Sequence, residues 1–266
     1  MNLDKVCEQV IKTSIDTGVF IRNEVKNFNQ SFVETKGIHN FVSYVDKNAE
    51  QQIVAKLSKL LPEAGFIAEE GTGKPSKGGL NWVIDPLDGT TNFIHGLAPF
   101  AISIALMDGE EMILGVIYEI NLDECFWAYK GSKAYLNGKE IKVSTIDTIN
   151  GSLIATGFPY YDYQRINPFF KTMDYFMKNS HGLRRLGSAA TDLAYVACGR
   201  FEGFYEYSLH PWDVAAGVII VEQAGGRISD FSGNKNYIFG GEIIASNSLV
   251  YNEFLTTISN IMTKKE

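Results

Sequence analysis

The first quarter of the chain has the apolar spacing of two amphipathic helices. Apolar or small residues recur at steps of three and four positions from Leu3 to Val25, which indicates a first helix. A strand-like segment, "SFVET", follows it. The pattern then predicts a second helix with Asp46 at its N-cap, ending at Leu61 and Pro62.

The middle of the chain, from residue 66 to about 160, is predicted to be mostly β-strand. The predicted strands are "FIA", "NWVI", "FAISIALM", "MILGVIYEI", "CFWAY" and "SLIAT", with turns at "MDGE" and "LNGKE". This pattern is typical of a large mixed or antiparallel sheet.

Helical spacing returns in the last third of the chain. The predicted helices cover 167–179, 188–200, 212–224 and 248–262, and short strands such as "GFYEY" and "EIIAS" separate them. Because strands and helices are interleaved without strict βαβ repeats, the pattern favours a layered α+β fold over a Rossmann sheet.

Composition and charge narrow the class of protein. The chain has 266 residues, of which 45% are hydrophobic and 21% are charged, as in a soluble globular protein with a sizeable core. We find no internal repeat, low-complexity tract or long linker, so we expect one large domain or two intimate ones. The net charge is −7 and the Lys and Arg residues are dispersed, so we expect no nucleic-acid partner.

Signals of other protein classes are missing from the pattern. The longest apolar stretches, "FAISIALM" and "VAAGVIIV", are too short to span a bilayer, so we expect no membrane partner. Cys7, Cys125 and Cys198 lie far apart and outside any CxxC spacing, which suits a reducing cytoplasm rather than disulfides. The four histidines show no HxxxH or HExxH spacing, which argues against the usual zinc sites.

Two acids follow a predicted buried strand in the segment "WVIDPLDGTTNF". Pro86 biases Asp85 away from helical angles and Gly89 permits a sharp turn, so Asp85 and Asp88 can converge on one point. Such acids repel each other unless a cation or proton lies between them, and oxygen ligands suit Mg²⁺ or Mn²⁺ better than zinc. The carbonyl of Leu87 is a candidate further ligand.

The residues after this turn have two interpretations. A helix beginning near Gly89 would direct its unpaired N–H groups toward the same point, and that combination accepts a phosphate. The alternative is that Asp88, Thr90 and Asn92 only cap a helix or form an Asx-turn.

Other acids stand at element ends. Glu69 and Glu70 end the predicted strand "FIA", although a solvated acid pair would give the same pattern. Asp213 falls in the first turn of a helix in "HPWDVAAG", where it can equally be a cap or a dipole partner. The segment "GTGKPSKGG" is the best candidate for a mobile loop, and Pro75 after Lys74 breaks the Walker A pattern.

Taken together, "AEEG", "WVIDPLDGTTNF" and "LHPWDVAAGVIIVEQAGG" resemble the signature set of the inositol monophosphatase family, a group of Mg²⁺-dependent, Li⁺-sensitive phosphatases. The resemblance runs from Lys36 to the C-terminal helix. It implies an α+β fold, a layered αβαβα sandwich of the sugar phosphatase type, as one unit over 1–266 with halves of about 1–145 and 146–266. It also implies a homodimer.

The resemblance implies roles for individual residues. The implied metal ligands are Glu69, Asp85, Leu87, Asp88 and Asp213, holding two or three Mg²⁺ ions, with Mn²⁺ as a substitute. Thr90 pairs with Asp46, and the attacking water lies between Thr90, Glu69 and the metal. Asp46 lies in "NFVSYVD", which departs from the family pattern only by Phe41 and Ser43. The implied substrate contacts are Asp88, Gly89, Thr90, Gly187, Ser188, Ala189, Glu206 and Asp213.

The implied reaction is hydrolysis of myo-inositol 1-phosphate or a related sugar-like phosphate monoester, with Glu206 binding ring hydroxyls. The chain shows no Ser or Cys nucleophile with a His partner, which agrees with direct attack by water. The alternatives within the class are phosphatases of fructose 1,6-bisphosphate, of 3′,5′-bisphosphonucleotides or of NADP. A non-enzymatic metal-binding relic of the fold is the alternative from a different class.

Overall fold

The computed structural model describes residues 1–25, 34–37 and 40–263, with the backbone alone for 34–37 and 40–42. Part of the predicted strand "SFVET" and the side chains of Lys36 and Phe41 therefore lie outside the described residues. Within the described residues, no helix combines the length and the apolar character needed to cross a bilayer.

The helices lie close to the predicted positions. They are α1 (Leu3–Val25), α2 (Tyr44–Leu60), α3 (Thr90–Ile94), α4 (Ile166–Asn179), α5 (Ala189–Ala197), α6 (Pro211–Gln223) and α7 (Tyr251–Met262). Helix α5 is shorter than the predicted 188–200, because Gly199 adopts a left-handed conformation with φ 77° just beyond its end.

The strands form two large sheets and a small hairpin. They are β1 (Glu34–Gly37), β2 (Asn40–Val42), β3 (Gly65–Ala68), β4 (Leu80–Asp88), β5 (Ala101–Asp108), β6 (Glu111–Glu119), β7 (Glu124–Tyr129), β8 (Ala134–Leu136), β9 (Lys139–Ile141), β10 (Leu153–Thr156), β11 (Gly182–Arg184), β12 (Gly203–Tyr207), β13 (Gly226–Ser229) and β14 (Glu242–Asn247). One sheet has the order β3-β4-β5-β6-β7-β8-β9 and is antiparallel except for β3 with β4. The other has the order β11-β10-β12-β14-β13, with β10 parallel to both of its neighbours.

The elements stack in five layers. Helices α1 and α2 pack on one face of the seven-stranded sheet, and α5 and α6 lie between the two sheets. Helices α4 and α7 cover the outer face of the five-stranded sheet. The predicted αβαβα arrangement is confirmed. The boundary near residue 145 stays a prediction.

Helix α2 does not have the N-cap residue that the sequence pattern predicted. The N-cap is Ser43, whose hydroxyl accepts a hydrogen bond from the Val45 N–H at 3.1 Å. Asp46 is the third residue of the helix, and its carboxylate accepts from the Ser43 N–H at 2.9 Å. The prediction of Asp46 as the N-cap is therefore wrong, because a capping box starts the helix three residues earlier.

Small residues let α6 approach the seven-stranded sheet closely. A Cβ atom at Gly115 of β6 would lie 2.5 Å from the carbonyl oxygen of Ala216 and 2.7 Å from Ile219. A Cβ atom at Gly217 would lie 2.5 Å from Leu193 on α5. The depth of α6 in the molecule therefore depends on these two glycines.

Candidate active site

The turn that carries the paired acids lies at the end of β4. The register of β4 against β5 shifts between Asp85 and Asp88, so the strand bulges where the proline and Leu87 lie. Asp85 is only 3% exposed, and its Oδ1 accepts from the Leu87 N–H at 2.9 Å. Burial, and then the charges of Glu69, Asp88 and Asp213, raise the pKa of Asp85 well above its ordinary value. The turn is thus a point of concentrated negative charge.

Asp88 connects the seven-stranded sheet to α5. Its Oδ2 accepts from the Ser188 hydroxyl at 2.6 Å and from the Ala190 N–H at 2.8 Å. Burial raises the pKa of Asp88 to about 6, although these two donors act in the opposite direction. The short helix α3 follows Gly89, which is its N-cap with φ 92° and provides no side-chain bond. The interpretation of Asp88 as a cap of that helix is therefore wrong.

Thr90 and Asp46 form the pair that the resemblance implies. The Thr90 hydroxyl lies 3.0 Å from Asp46 Oδ1 and 3.0 Å from the Leu87 carbonyl oxygen, so it shares its proton between two acceptors. Asp46 is buried and also accepts from the Ser43 hydroxyl at 2.6 Å. Burial raises the pKa of Asp46, while Ser43 and Thr90 oppose that shift. Helix α2 thereby fixes the orientation of the Thr90 hydroxyl.

Glu69 and Asp213 reach the same region from other elements. Glu69 directly follows β3, and its N–H donates to the Ile84 carbonyl at 3.2 Å. Asp213 is the third residue of α6, and its Oδ2 accepts from the His210 N–H at 2.6 Å. Burial, and then the charge of Asp88, raise the pKa of Asp213 well above its ordinary value. Asp213 therefore caps its helix and also faces the other acids.

One cavity of about 140 Å³ collects these residues between the two sheets. The predicted residues that line it are Glu69, Asp85, Leu87, Asp88, Gly89, Thr90, Gly187, Ser188, Ala189, Glu206 and Asp213. Among the described residues, no three His, Cys, Asp or Glu side chains are grouped closely enough to hold a metal ion as they stand. Asp85, Asp88 and Asp213 instead accept nearby N–H groups, as expected of like charges that repel one another.

Another part of the cavity wall is formed by Gly157 and Glu206, near the ends of the parallel strands β10 and β12. Glu206 on β12 is 7% exposed, and burial raises its pKa to about 8 against the opposing charge of Arg185. Gly157, just after β10, lies against the Glu206 carboxylate, and a side chain at this position would overlap it. A glycine is therefore required beside Glu206.

The cavity contains residues that sequence reasoning missed. Arg185 donates a hydrogen bond to the Tyr160 hydroxyl, and both residues line the cavity. Tyr161, His210 and Trp212 form a stack with ring centroids 5.6 Å and 4.8 Å apart. His210 and Trp212 lie inside the quoted "HPWD" segment and could have been considered. Tyr160 and Arg185 meet only because β10 and β11 are neighbours, which the sequence does not indicate.

Comparison with known proteins agrees with this geometry. A protein of Escherichia coli named "Nus factor SuhB" is 42% identical over 224 residues, 84% of each chain. "Inositol-1-monophosphatase" of Mesorhizobium japonicum is 37% identical over 243 residues, 91% of this chain and 90% of the relative.

Solved structures give the same result. The extragenic suppressor protein suhB of Bartonella henselae has a TM-score of 0.89 at 36% identity, covering 96% of this chain and 98% of that one. Inositol monophosphatase of Anabaena has a TM-score of 0.87 at 31% identity and covers 98% of both chains. The profile of the inositol monophosphatase family matches residues 2–263, so the resemblance of the motifs is confirmed. The chain belongs to the inositol monophosphatase family.

Proposed function

We propose that this protein is a metal-dependent phosphatase that hydrolyses the phosphate monoester of a sugar-like polyol. Inositol 1-phosphate is the first candidate substrate. The observation that carries the proposal is a single cavity lined by Glu69, Asp85, Asp88 and Asp213, with Thr90 beside them. Such a group of carboxylates attracts cations.

The donor set fits Mg²⁺ or Mn²⁺. All the candidate ligands are oxygen atoms, from the carboxylates of Glu69, Asp85, Asp88 and Asp213 and from the Leu87 carbonyl. Burial, and then repulsion from neighbouring acids, raise the pKa values of Asp85 and Asp213. Bound Mg²⁺ would relieve that repulsion, polarise the phosphoryl oxygens and the attacking water, and stabilise the leaving alkoxide.

The chain's own residues orient the water and the phosphate. Thr90, fixed by Asp46, would hold the attacking water together with Glu69. Gly89, Thr90 and Thr91 line the cavity, and their backbone N–H groups would contact phosphoryl oxygens. Phosphoryl transfer needs chiefly such positioning and electrostatic stabilisation.

The part of the cavity wall that contains Glu206 would bind the alcohol part of the substrate. Glu206 would exchange hydrogen bonds with ring hydroxyls, and Gly187, Ser188 and Ala189 would lie beside the ring. Ser188 is fixed in this place, because it donates to Asp88 and accepts from the Thr191 N–H at 3.2 Å. A polyol phosphate matches this polar wall better than a purely apolar alcohol does.

The test is release of inorganic phosphate by the purified protein in Mg²⁺. The panel holds inositol 1-phosphate, fructose 1,6-bisphosphate, adenosine 3′,5′-bisphosphate and NADP, which represent the alternative substrate classes. We expect a clear preference for inositol 1-phosphate. Equal or better turnover of a nucleotide would assign a different substrate class, and no release from any member would contradict the phosphatase proposal.

The relatives named "Nus factor SuhB" favour a second candidate function, in which this chain also acts as a Nus factor. A variant without phosphatase activity separates the two functions. If deletion of the gene slows growth and a gene encoding Asp88→Asn restores it, growth depends on the non-enzymatic function. Failure to restore growth at normal protein levels would favour the phosphatase.

The oligomeric state, the location in the cell and the absence of other partners are also proposals for this chain. We propose a cytoplasmic homodimer that does not bind a membrane and does not bind nucleic acid directly. Several large apolar side chains, among them Leu97 and Phe158, are exposed and would suit a contact between two copies. Analytical ultracentrifugation would test the dimer.

A further inference from the structure

A buried acid outside the cavity holds the loop that follows Glu69. Glu50 lies on α2 and is 0% exposed. Its Oε2 accepts from the Glu70 N–H at 2.8 Å, and its Oε1 accepts from the Thr72 N–H at 2.8 Å. Both carboxylate oxygens are therefore used by backbone donors on one short stretch of chain.

Burying this carboxylate is costly unless its oxygens accept hydrogen bonds. Glu50 follows Asp46 by four residues, so two acids of equal charge share one buried helix face. An unpaired carboxylate in such a position would be strongly destabilising, and each acid is instead satisfied by a different loop. Asp46 accepts from Thr90, and Glu50 accepts from the stretch after Glu69.

Backbone bonds also hold the loop after Glu69, among them a local bond from the Gly71 N–H to the Ala68 carbonyl at 3.1 Å. The backbone of Glu69 is held on its other side by the bond from its N–H to the Ile84 carbonyl. Thr72 stands between Gly71 and Gly73, which both adopt positive φ, at 80° and 93°. A further backbone bond, from the Phe66 N–H to the Lys74 carbonyl at 2.9 Å, closes the loop.

We propose that Glu50 is a positioning residue for Glu69, acting through the backbone of residues 70–72. Helix α2 then sets the positions of both groups that would hold the attacking water, with Asp46 directing Thr90 and Glu50 directing Glu69. This inference rests on the proposed function. It adds a residue without contact to substrate or metal that determines how well Glu69 binds the metal ion.

The test compares Glu50→Gln with a matched control, Glu119→Gln. Glu119 is also 0% exposed, and it accepts from the Asn121 N–H at 3.1 Å and from the Leu122 N–H at 2.6 Å. It does not line the cavity. In both variants the new amide group can accept from only one of the two N–H donors, so the structural damage is similar.

Two readouts are needed on the purified full chain. The first is the dissociation constant of Mn²⁺, measured by titration calorimetry. The second is hydrogen exchange at the amides of Glu70 and Thr72 in metal-free protein. We expect Glu50→Gln to weaken Mn²⁺ binding about 10- to 100-fold, as removal of an outer-shell partner does, and to accelerate exchange at the amide that loses its acceptor. Glu119→Gln should change Mn²⁺ binding less than about twofold.

The outcomes are distinguishable. If wild type binds Mn²⁺ and releases phosphate but Glu50→Gln binds Mn²⁺ equally well, the inference about Glu50 is wrong and the proposed function stands. If wild type neither binds Mn²⁺ nor releases phosphate, both are wrong. Glu50→Asp, which keeps the charge on a shorter side chain, serves as a second variant if Glu50→Gln does not fold, with the same expected loss of Mn²⁺ affinity.

Discussion

Acids that look alike in the sequence differ in the partners of their carboxylates. Asp46 accepts from Ser43 and from Thr90, so it orients another side chain. Asp88 accepts from the start of α5 and connects that helix to the seven-stranded sheet. Glu206 faces the cavity with a pKa raised to about 8 by burial. These differences, rather than the count of acids, support separate roles for them.

Glu206 gives the prediction at this scale. Above pH 8, where the Glu206 carboxyl is ionised, a hydrogen bond to this charged group contributes about 1.5–3 kcal/mol, so Glu206→Gln should lower kcat/KM for inositol 1-phosphate by roughly 10- to 100-fold. The loss should be less than about threefold for 4-nitrophenyl phosphate, whose alcohol has no ring hydroxyls to bind. Steady-state kinetics on both substrates check this. Unchanged KM and turnover for inositol 1-phosphate would remove Glu206 from the substrate site.

Individual residues were predictable where they belong to a dense local motif. Asp85, Asp88 and Asp213 fall within short segments whose order along the chain is informative, and the structure brings them to one cavity. Glu50 was missed, because a glutamate on a helix is usually solvated and its two backbone partners lie 20 and 22 residues further along the chain.

The periodicity of apolar residues predicted the helices and strands, but it did not always predict where they begin and end. The helices and the main strands were predicted because the apolar spacing is regular over many residues. The start of α2 was misread, because Ser43 and Asp46 are both acceptable N-cap residues and only the backbone geometry distinguishes them. Sheet order was not predictable, since the sequence does not indicate that β12 pairs with both β10 and β14.

The close contact of α6 with β6 predicts that a larger residue at this contact destabilises the protein. Gly115→Ala would press a Cβ atom against Ala216 and Ile219, at 2.5 and 2.7 Å. We expect a loss of about 1–3 kcal/mol in the free energy of unfolding, measured by urea denaturation. Turnover should also fall, because Asp213 lies in the first turn of the displaced helix.

Gly79→Ala is the control for this substitution. Its Cβ atom would meet only the Ser76 hydroxyl oxygen, at 3.2 Å, so the change should stay within about 0.5 kcal/mol. Equal stability of Gly115→Ala and wild type would show that α6 can shift freely, and the close packing would then have no energetic importance.

At the scale of the whole molecule, the cavity between the two sheets buries several acidic side chains whose ionisation is unfavourable. Asp85, Asp88, Glu206 and Asp213 all have raised pKa values, with burial as the first cause. The folded protein therefore binds protons at these groups more tightly than the unfolded chain does. A cation in the cavity would have the same stabilising effect as those protons.

This charge predicts how stability depends on pH without metal. The pKa of Asp88 rises from 3.8 to about 6 and that of Glu206 from 4.5 to about 8, so their contribution is complete below pH 4 and is lost as pH rises through 6 and 8. The unfolding temperature in chelator should therefore fall as pH rises from about 4 to about 8. Saturating Mg²⁺ should reduce that fall. Thermal denaturation followed by circular dichroism checks both, and a midpoint that does not change over this range would contradict the account.

The most direct test of the account is phosphate release from inositol 1-phosphate by wild type and by Asp88→Asn, with Mg²⁺ and with chelator. We predict release that requires Mg²⁺ and falls on the order of a thousandfold or more in the variant, because several kcal/mol of stabilisation depend on the metal. The variant's unfolding temperature without metal should stay equal or rise, since one of the repelling charges is removed. Release that persists in chelator, or that a folded Asp88→Asn protein retains, would contradict the proposal that this cavity is a metal-dependent phosphatase site.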